Sequence, residues 1–164
     1  MAKKRHVHGH DTHRVQLRKN YCFACGVDNP EGLRLKFHYQ EARRRFVARF
    51  RLPRRYTGPP GHAHGGIVAA LLDEAMGKVN KLRSVVALTR SMEVEYLKPV
   101  PLHQTLTVEA HELRVRGRRH LNAAEILNGQ GEVLARSRGE FIAIEPARLK
   151  RMFGKHAGGV RRRS

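Results

Sequence analysis

Gly61-His-Ala-His-Gly-Gly-Ile-Val-Ala-Ala-Leu-Leu-Asp-Glu-Ala-Met-Gly77 is the stretch whose reading decides the fold. Pro59 and Pro60 stiffen its approach, and its first half is glycine-rich. Its second half places Ile67, Val68, Leu71, Leu72, Ala75 and Met76 at i, i+1, i+4, i+5, i+8 and i+9, the apolar face of a helix. From Gly66 to Lys81 only Gly77 weakens a helix, so the helix is expected to start near Gly65. A helix start leaves backbone N–H groups without partners, aimed at whatever lies in front of it. Two turns on, Asp73 and Glu74 interrupt the apolar run. A carboxylate there either turns to water or is held where chemistry needs it.

Upstream, Asn29-Pro-Glu-Gly32 forms a turn into Leu33–Tyr39, whose alternation of apolar and polar residues predicts a half-buried strand. Gln40–Arg44 is a polar turn, Arg45–Arg51 a second alternating strand, and Tyr56–Gly61 a Pro/Gly loop that delivers the chain to the helix. Downstream, an extended run from Ser84 reaches Tyr96 and stops at Lys98-Pro-Val-Pro101. Thr105–Val115, Arg118–Leu127 and Val133–Ile144 follow, joined at Gly117 and at Asn128-Gly-Gln-Gly131, where Asn-Gly is a hairpin cue. Two strands, one long helix and four strands make an α+β chain, an antiparallel sheet packed on a single helix. A short helix is expected over Pro146–Phe153.

The 164 residues make one domain. We divide them into a basic, His-rich and disordered arm at 1–20 (His6, His8, His10 and His13), a folded domain at 21–146, and a basic, partly disordered tail at 147–164. Lys and Arg number 33 against 14 Asp and Glu, a net charge of +19. That points to an anionic partner (nucleic acid, an anionic membrane surface or a phosphorylated substrate) or simply to an Arg-rich surface. Without Trp, and with 6% aromatic residues, stacking platforms for single strands are thin. No apolar run reaches the roughly 18 residues of a membrane span, and the first residues do not read as a secretory signal. The expectation is a cytoplasmic chain without membrane insertion.

His64-Gly65-Gly66 followed by Asp73, nine positions after the histidine, resembles the active-site helix of the PaaI-type, HGG-motif thioesterases of the hotdog superfamily. Leu72–Gly77 is similar to the body of that helix, and the likeness runs from Cys22-Phe-Ala-Cys-Gly26 to about Ile144. The resemblance implies a hotdog fold, five to six antiparallel strands wrapped around one long central helix. It implies hydrolysis of an acyl-CoA thioester with no cofactor, coenzyme A being part of the substrate. The Gly65 N–H would hold the oxyanion, Gly66 would let the acyl group approach, and Asp73 would act as general base or nucleophile. His64 would bond the backbone at the helix entry. Thr89 falls where the family carries a Ser or Thr that orients the water or carboxylate. Many members also carry an Asn or Gln ahead of the HGG motif; Thr57–Ala63 offers none.

His64 and Asp73 lie about 13.5 Å apart along a helix, at 1.5 Å per residue, too far to serve one carbonyl. The family solves this by dimerising, so the expected partner is a second copy, with a tetramer as dimer of dimers also within the family's range. Arg90, Lys98, Arg116, Arg118 and Arg119 are candidates for the CoA phosphates, and His62 is open to a substrate contact. Two other classes are open to these residues: a hotdog dehydratase or hydratase using His62 and Glu74, and, ranking last, a non-catalytic basic module binding nucleic acid. Glu74 otherwise forms a salt bridge. Cys22-x-x-Cys25 lacks the second cysteine pair of a zinc site and precedes a turn rather than a helix, so it is taken as two reduced, partly buried thiols with no metal assigned.

Overall fold

The computed structural model describes residues 19–154; the expected arm, save its last two residues, and the end of the tail lie outside them. Six strands form one antiparallel sheet: β1 (His38–Gln40), β2 (Arg45–Phe50), β3 (Ala87–Tyr96), β4 (Leu106–Arg116), β5 (Arg119–Leu127) and β6 (Val133–Ala143). Their order across the sheet is β1-β2-β4-β5-β6-β3. The helix α1 (Gly65–Val79) packs against β2 through β6. This is the hotdog architecture that the motif implied.

The reason is legible on α1. Val68, Leu71, Leu72, Ala75, Met76 and Val79 are all buried, a continuous stripe at i, i+3, i+4, i+7, i+8 and i+11. It meets the inner face of the sheet, where Leu106, Val108, Ala110, Ala124, Ile126 and Phe141 are also buried. Burying side chains of this size contributes roughly 1.5–3 kcal/mol each. Gly77 does not end the helix, which runs on to Val79 and then tightens into a 3-10 turn over Asn80–Arg83. The end is held by polar groups: the wholly buried Asn122 donates Nδ2 to Met76 O (3.0 Å) and to Asn80 Oδ1 (3.2 Å). A helix end leaves carbonyls unpaired, and Asn122 takes one of them.

The strand expected over Leu33–Tyr39 is a correction. Only His38–Gln40 pairs with β2. Arg34 takes a positive φ of 52°, which breaks the alternation. The preceding segment is sewn to the cysteine loop instead, Leu33 N donating to Phe23 O (2.8 Å) and Leu35 N to Ala24 O (2.9 Å). Elsewhere the sequence boundaries hold to within three residues, the largest difference being β3, which starts at Ala87 rather than Ser84 because the 3-10 turn runs to Arg83. At β4–β5, Arg116 pairs with Arg119 and the two-residue turn needs Gly117 at φ 57°. The Asn128 hairpin is a longer loop in which Asn128 Oδ1 accepts from the N–H groups of Gln130 and Glu132. The tail forms α2 (Pro146–Phe153), as expected.

Candidate active site

The site is built at the start of α1. His64 is the N-cap, its φ and ψ extended, and its Nδ1 accepts from Gly66 N at 3.0 Å. Ile67 N turns back to His64 O at 2.9 Å. Among the described residues, no hydrogen bond takes up the N–H of Gly65 between them. That donor is therefore left at the positive end of a 15-residue helix. The lead-in packs tightly to achieve this. A Cβ on Gly58 would sit 2.7 Å from His64 Cα, and His64 N is tied to Tyr56 O at 2.9 Å.

Tyr96, at the end of β3, donates its hydroxyl to Gly65 O at 3.1 Å, and its ring lies 3.6–3.7 Å from where a Gly65 Cβ would stand. Sequence reasoning missed this residue. Its only signal is an aromatic at the last position of the strand that follows the helix.

Asp73 lies two turns further on, half-buried. Thr89 Oγ1 donates to Asp73 Oδ1 at 2.7 Å, so the structure brings these two expected residues together. The pairing of β3 with β6 slips between Thr89 and Ser91, leaving Arg90 as the extra residue. A bulge of this kind re-aims the adjacent side chain. The Asp73–Thr89 pair and the helix start share the side of α1 covered by β3. Leu88 and Tyr96 on β3 are exposed, and β3 is an edge of the sheet. Two clefts, of about 530 and 620 Å³, lie elsewhere, under Leu33–Leu35 and beside Arg43–Arg45.

The other sequence candidates scatter. His62 lies in the lead-in loop, its Nδ1 within 2.9 Å of Pro60 O. Arg90 and Arg119 both reach Glu140, each at 3.0 Å, and Arg118 donates to Ala143 O. These three cations gather where β3, β5 and β6 meet. Lys98 pairs with Glu132, far along the chain, and Arg116 is exposed at the β4–β5 turn.

Glu74 turns away from Asp73, as adjacent helical positions must. It holds Lys78 Nζ at 2.6 Å, and Lys78 also donates to Cys25 Sγ at 3.0 Å. The salt bridge expected of Glu74 is present, and His62 is not beside it. Cys22, Cys25 and Glu74 each present a ligand atom, all within 4.8 Å of one another. Burial first, then Glu74, pushes the Cys25 thiol up to about 11. Burial pulls the Lys78 ammonium down, but its bonds to Glu74 and Cys25 outweigh that and raise it above its ordinary value.

Comparison with known proteins bears on this arrangement. The model of the thioesterase superfamily matches residues 60–135, which contain the HGG motif, α1, β3, β4 and β5. Over that stretch the chain is similar to the thioesterase superfamily. A crystallised thioesterase superfamily protein overlays on this chain with a TM-score of 0.71 and 28% identity, covering 75% of this chain and 60% of that one. A Bacillus halodurans protein crystallised with CoA does so with a TM-score of 0.61 and 26% identity, covering 69% and 76%. Among curated relatives, the acyl-coenzyme A thioesterase THEM4 of Rattus norvegicus is 25% identical over 132 residues, 80% of this chain and 57% of its own length. THEM4 of Xenopus laevis is 26% identical over 121 residues, 73% and 54%. The chain thus spans little more than half the length of these relatives.

Proposed function

We propose that the protein hydrolyses an acyl-CoA thioester to the free acid and CoA. The observation that carries this is Asp73, fixed by the Thr89 hydroxyl on the side of α1 whose N-terminus offers the unclaimed Gly65 N–H. The names of the curated relatives and the CoA held by the Bacillus halodurans protein support the substrate class.

Thioester hydrolysis needs an activated water or a nucleophile, and a donor for the charge that grows on the carbonyl oxygen. Asp73 takes a proton from water as it attacks the carbonyl carbon. The Gly65 N–H receives the oxyanion, and collapse breaks the C–S bond and expels CoA thiolate, which the proton then neutralises. The alternative step has the Asp73 carboxylate attack directly, giving a mixed anhydride that water opens. Turnover in isotope-labelled water separates the two, because only the anhydride route carries the label into Asp73.

Eight residues of helix, about 12 Å, separate Gly65 from Asp73, so one chain does not bring both to one carbonyl. A homodimer formed along the exposed β3 edge brings the two groups together, one protomer giving the amide and the other the carboxylate. Exposed Val86, Leu88, Tyr96 and Leu97 on or beside that edge support it, since an unpaired apolar edge is otherwise a liability. Arg90, Arg118 and Arg119 are the cations best grouped to meet CoA phosphates. Glu74, committed to Lys78 and Cys25, is not free to act in a dehydratase reaction with His62.

The test is a panel of short, long and aryl acyl-CoAs, with CoA release followed by chromatography for the wild type and Asp73→Asn. Turnover of at least one class by the wild type, and its near loss in Asp73→Asn with the fold intact, supports the reading. Hydrolysis unchanged by Asp73→Asn overturns it.

A further inference from the structure

The cysteine loop is a second constructed feature, on the neighbouring face of α1, and thioester chemistry does not use it. Cys22 and Cys25 bracket a single tight turn closed by Gly26 N donating to Cys22 O at 2.8 Å. Position 26 must be glycine, because a Cβ would lie 2.5 Å from Cys22 O and 2.6 Å from Asn20 O. Asn20 braces the turn from below. Its Oδ1 accepts from Cys22 N at 3.1 Å, and its own N–H is held by Asp28 Oδ2 at 2.5 Å. The turn carries both sulfurs to one side, and that side faces Glu74 on α1.

We propose that Cys22, Cys25 and Glu74 form a site for one divalent ion of the zinc class, with Lys78 as its outer cation. The three ligand atoms already lie within 4.8 Å of one another. Tetrahedral zinc with Zn–S of about 2.3 Å and Zn–O of about 2.1 Å needs separations of roughly 3.6–3.8 Å, within reach of small side-chain rotations. Two sulfurs and one carboxylate select a borderline-soft metal over Mg²⁺ or Ca²⁺, which take oxygen ligands. The charges also close. Two thiolates and a carboxylate leave a bound dication one negative charge in excess, and the Lys78 ammonium, 2.6 Å from Glu74 and 3.0 Å from Cys25 Sγ, neutralises it. Cys22 is exposed, so the fourth position falls to solvent. Binding expels the thiol protons into solvent, so uptake strengthens as pH rises. The ion would clamp the loop to α1 one residue from Asp73. The site stands whether or not Asp73 is catalytic.

The experiment uses the full chain, reduced and stripped of metal, titrated with Co²⁺ and read by absorption. The expected result is saturation at one equivalent, with thiolate-to-cobalt charge transfer and the strong ligand-field bands of tetrahedral cobalt, both abolished by Zn²⁺. Any cobalt taken up by the histidines at positions 6–13 of the sequence would give no thiolate band and so would not mimic this signal. Cys22→Ser should abolish the charge transfer. Glu74→Gln should keep a weaker thiolate band while lowering affinity about tenfold or more. Zinc should raise the melting temperature of the wild type but not of Cys22→Ser. Three results overturn the proposal: no thiolate–cobalt band while both thiols titrate as free; affinity unchanged in Glu74→Gln; or a Cys22–Cys25 disulfide that forms in the presence of the metal.

Discussion

The Thr89 hydroxyl on β3 meets Asp73 Oδ1 of α1 at 2.7 Å, linking the edge strand to the central helix. A hydroxyl held this way takes one lone-pair direction of the carboxylate and leaves the other oxygen for water. Asp73→Asn should lower kcat by roughly 10²–10⁴-fold, the range for losing a general base. Thr89→Val should cost about tenfold in kcat with KM little changed, and Thr89→Ser should restore most of it, since the proton donor returns. Steady-state CoA release by the three variants checks this. A Thr89→Val enzyme of wild-type kcat would remove Thr89 from the site.

His64 acts as a cap through Nδ1, and its loss frees the Gly66 N–H. His64→Ala should lower stability by about 1 kcal/mol, measured by urea denaturation. His64→Asn, which keeps an acceptor at the cap, should recover most of it. Because the cap also leaves Gly65 as the unclaimed donor, the alanine variant should lose activity beyond its loss of stability, when assayed well below its melting temperature.

The β3 edge is predicted to carry the dimer. Leu88→Glu places charge on an exposed edge position, so it should leave the monomer folded while splitting the dimer. Sedimentation velocity should show a monomer, and turnover should fall although Asp73 and Gly65 are intact. A dimeric, fully active Leu88→Glu protein would place the interface elsewhere.

The fold was readable because α1 and the strands after it are strongly periodic, and tertiary packing agrees with the local pattern. Leu33–Phe37 was misread for a physical reason. Its alternation is real, but Arg34 bends the backbone and the partner carbonyls come from the cysteine loop, a long-range choice that no local pattern reveals. At the site, Asp73 and Thr89 follow from the resemblance to the HGG-motif family, and the His64 cap from its place at the helix entry. Tyr96 closing on Gly65 does not, because an aromatic at a strand end has many possible neighbours. The meeting of Glu74 with Cys22 and Cys25 was equally hidden, since these residues lie about fifty positions apart and only the fold joins them.

Thiol reactivity should differ between the two cysteines of the metal-free protein. Burial, then Glu74, holds Cys25 at about 11 against an ordinary 9.0. Near neutral pH this leaves about a hundredfold less thiolate than an ordinary thiol, and the thiolate is the reactive form. Iodoacetamide followed by peptide mass mapping should therefore label exposed Cys22 first. Glu74→Gln removes one cause of the shift and should speed labelling of Cys25. Equal labelling of the two cysteines in the wild type would count against the Cys25–Glu74 contact.

Stability should fall on mild acidification, and two histidines set the sign. His120 on β5 is buried, His111 on β4 is half-buried, and the Nδ1 of each lacks a partner among the described residues. Burial first, then Arg83 for His120 and Arg45 for His111, holds both below the ordinary 6.5, although Glu112 facing His120, and Glu109 and Glu125 facing His111, pull the other way. Below that value the unfolded chain takes up protons that the folded protein refuses. Stability is therefore fully present above about pH 6.5 and declines beneath it, by at most about 1.4 kcal/mol per pH unit for each histidine. The lowered carboxylates, Glu112 and Glu140 among them, act only below the ordinary carboxylate value of 4.5 and leave this window alone. Thermal melts from about pH 7.5 to about pH 5.5 should show the decline, and His120→Gln should flatten it. A wild-type melting temperature that rises over the same interval would mean that protonated histidine finds a partner in the folded protein, contrary to the burial seen here.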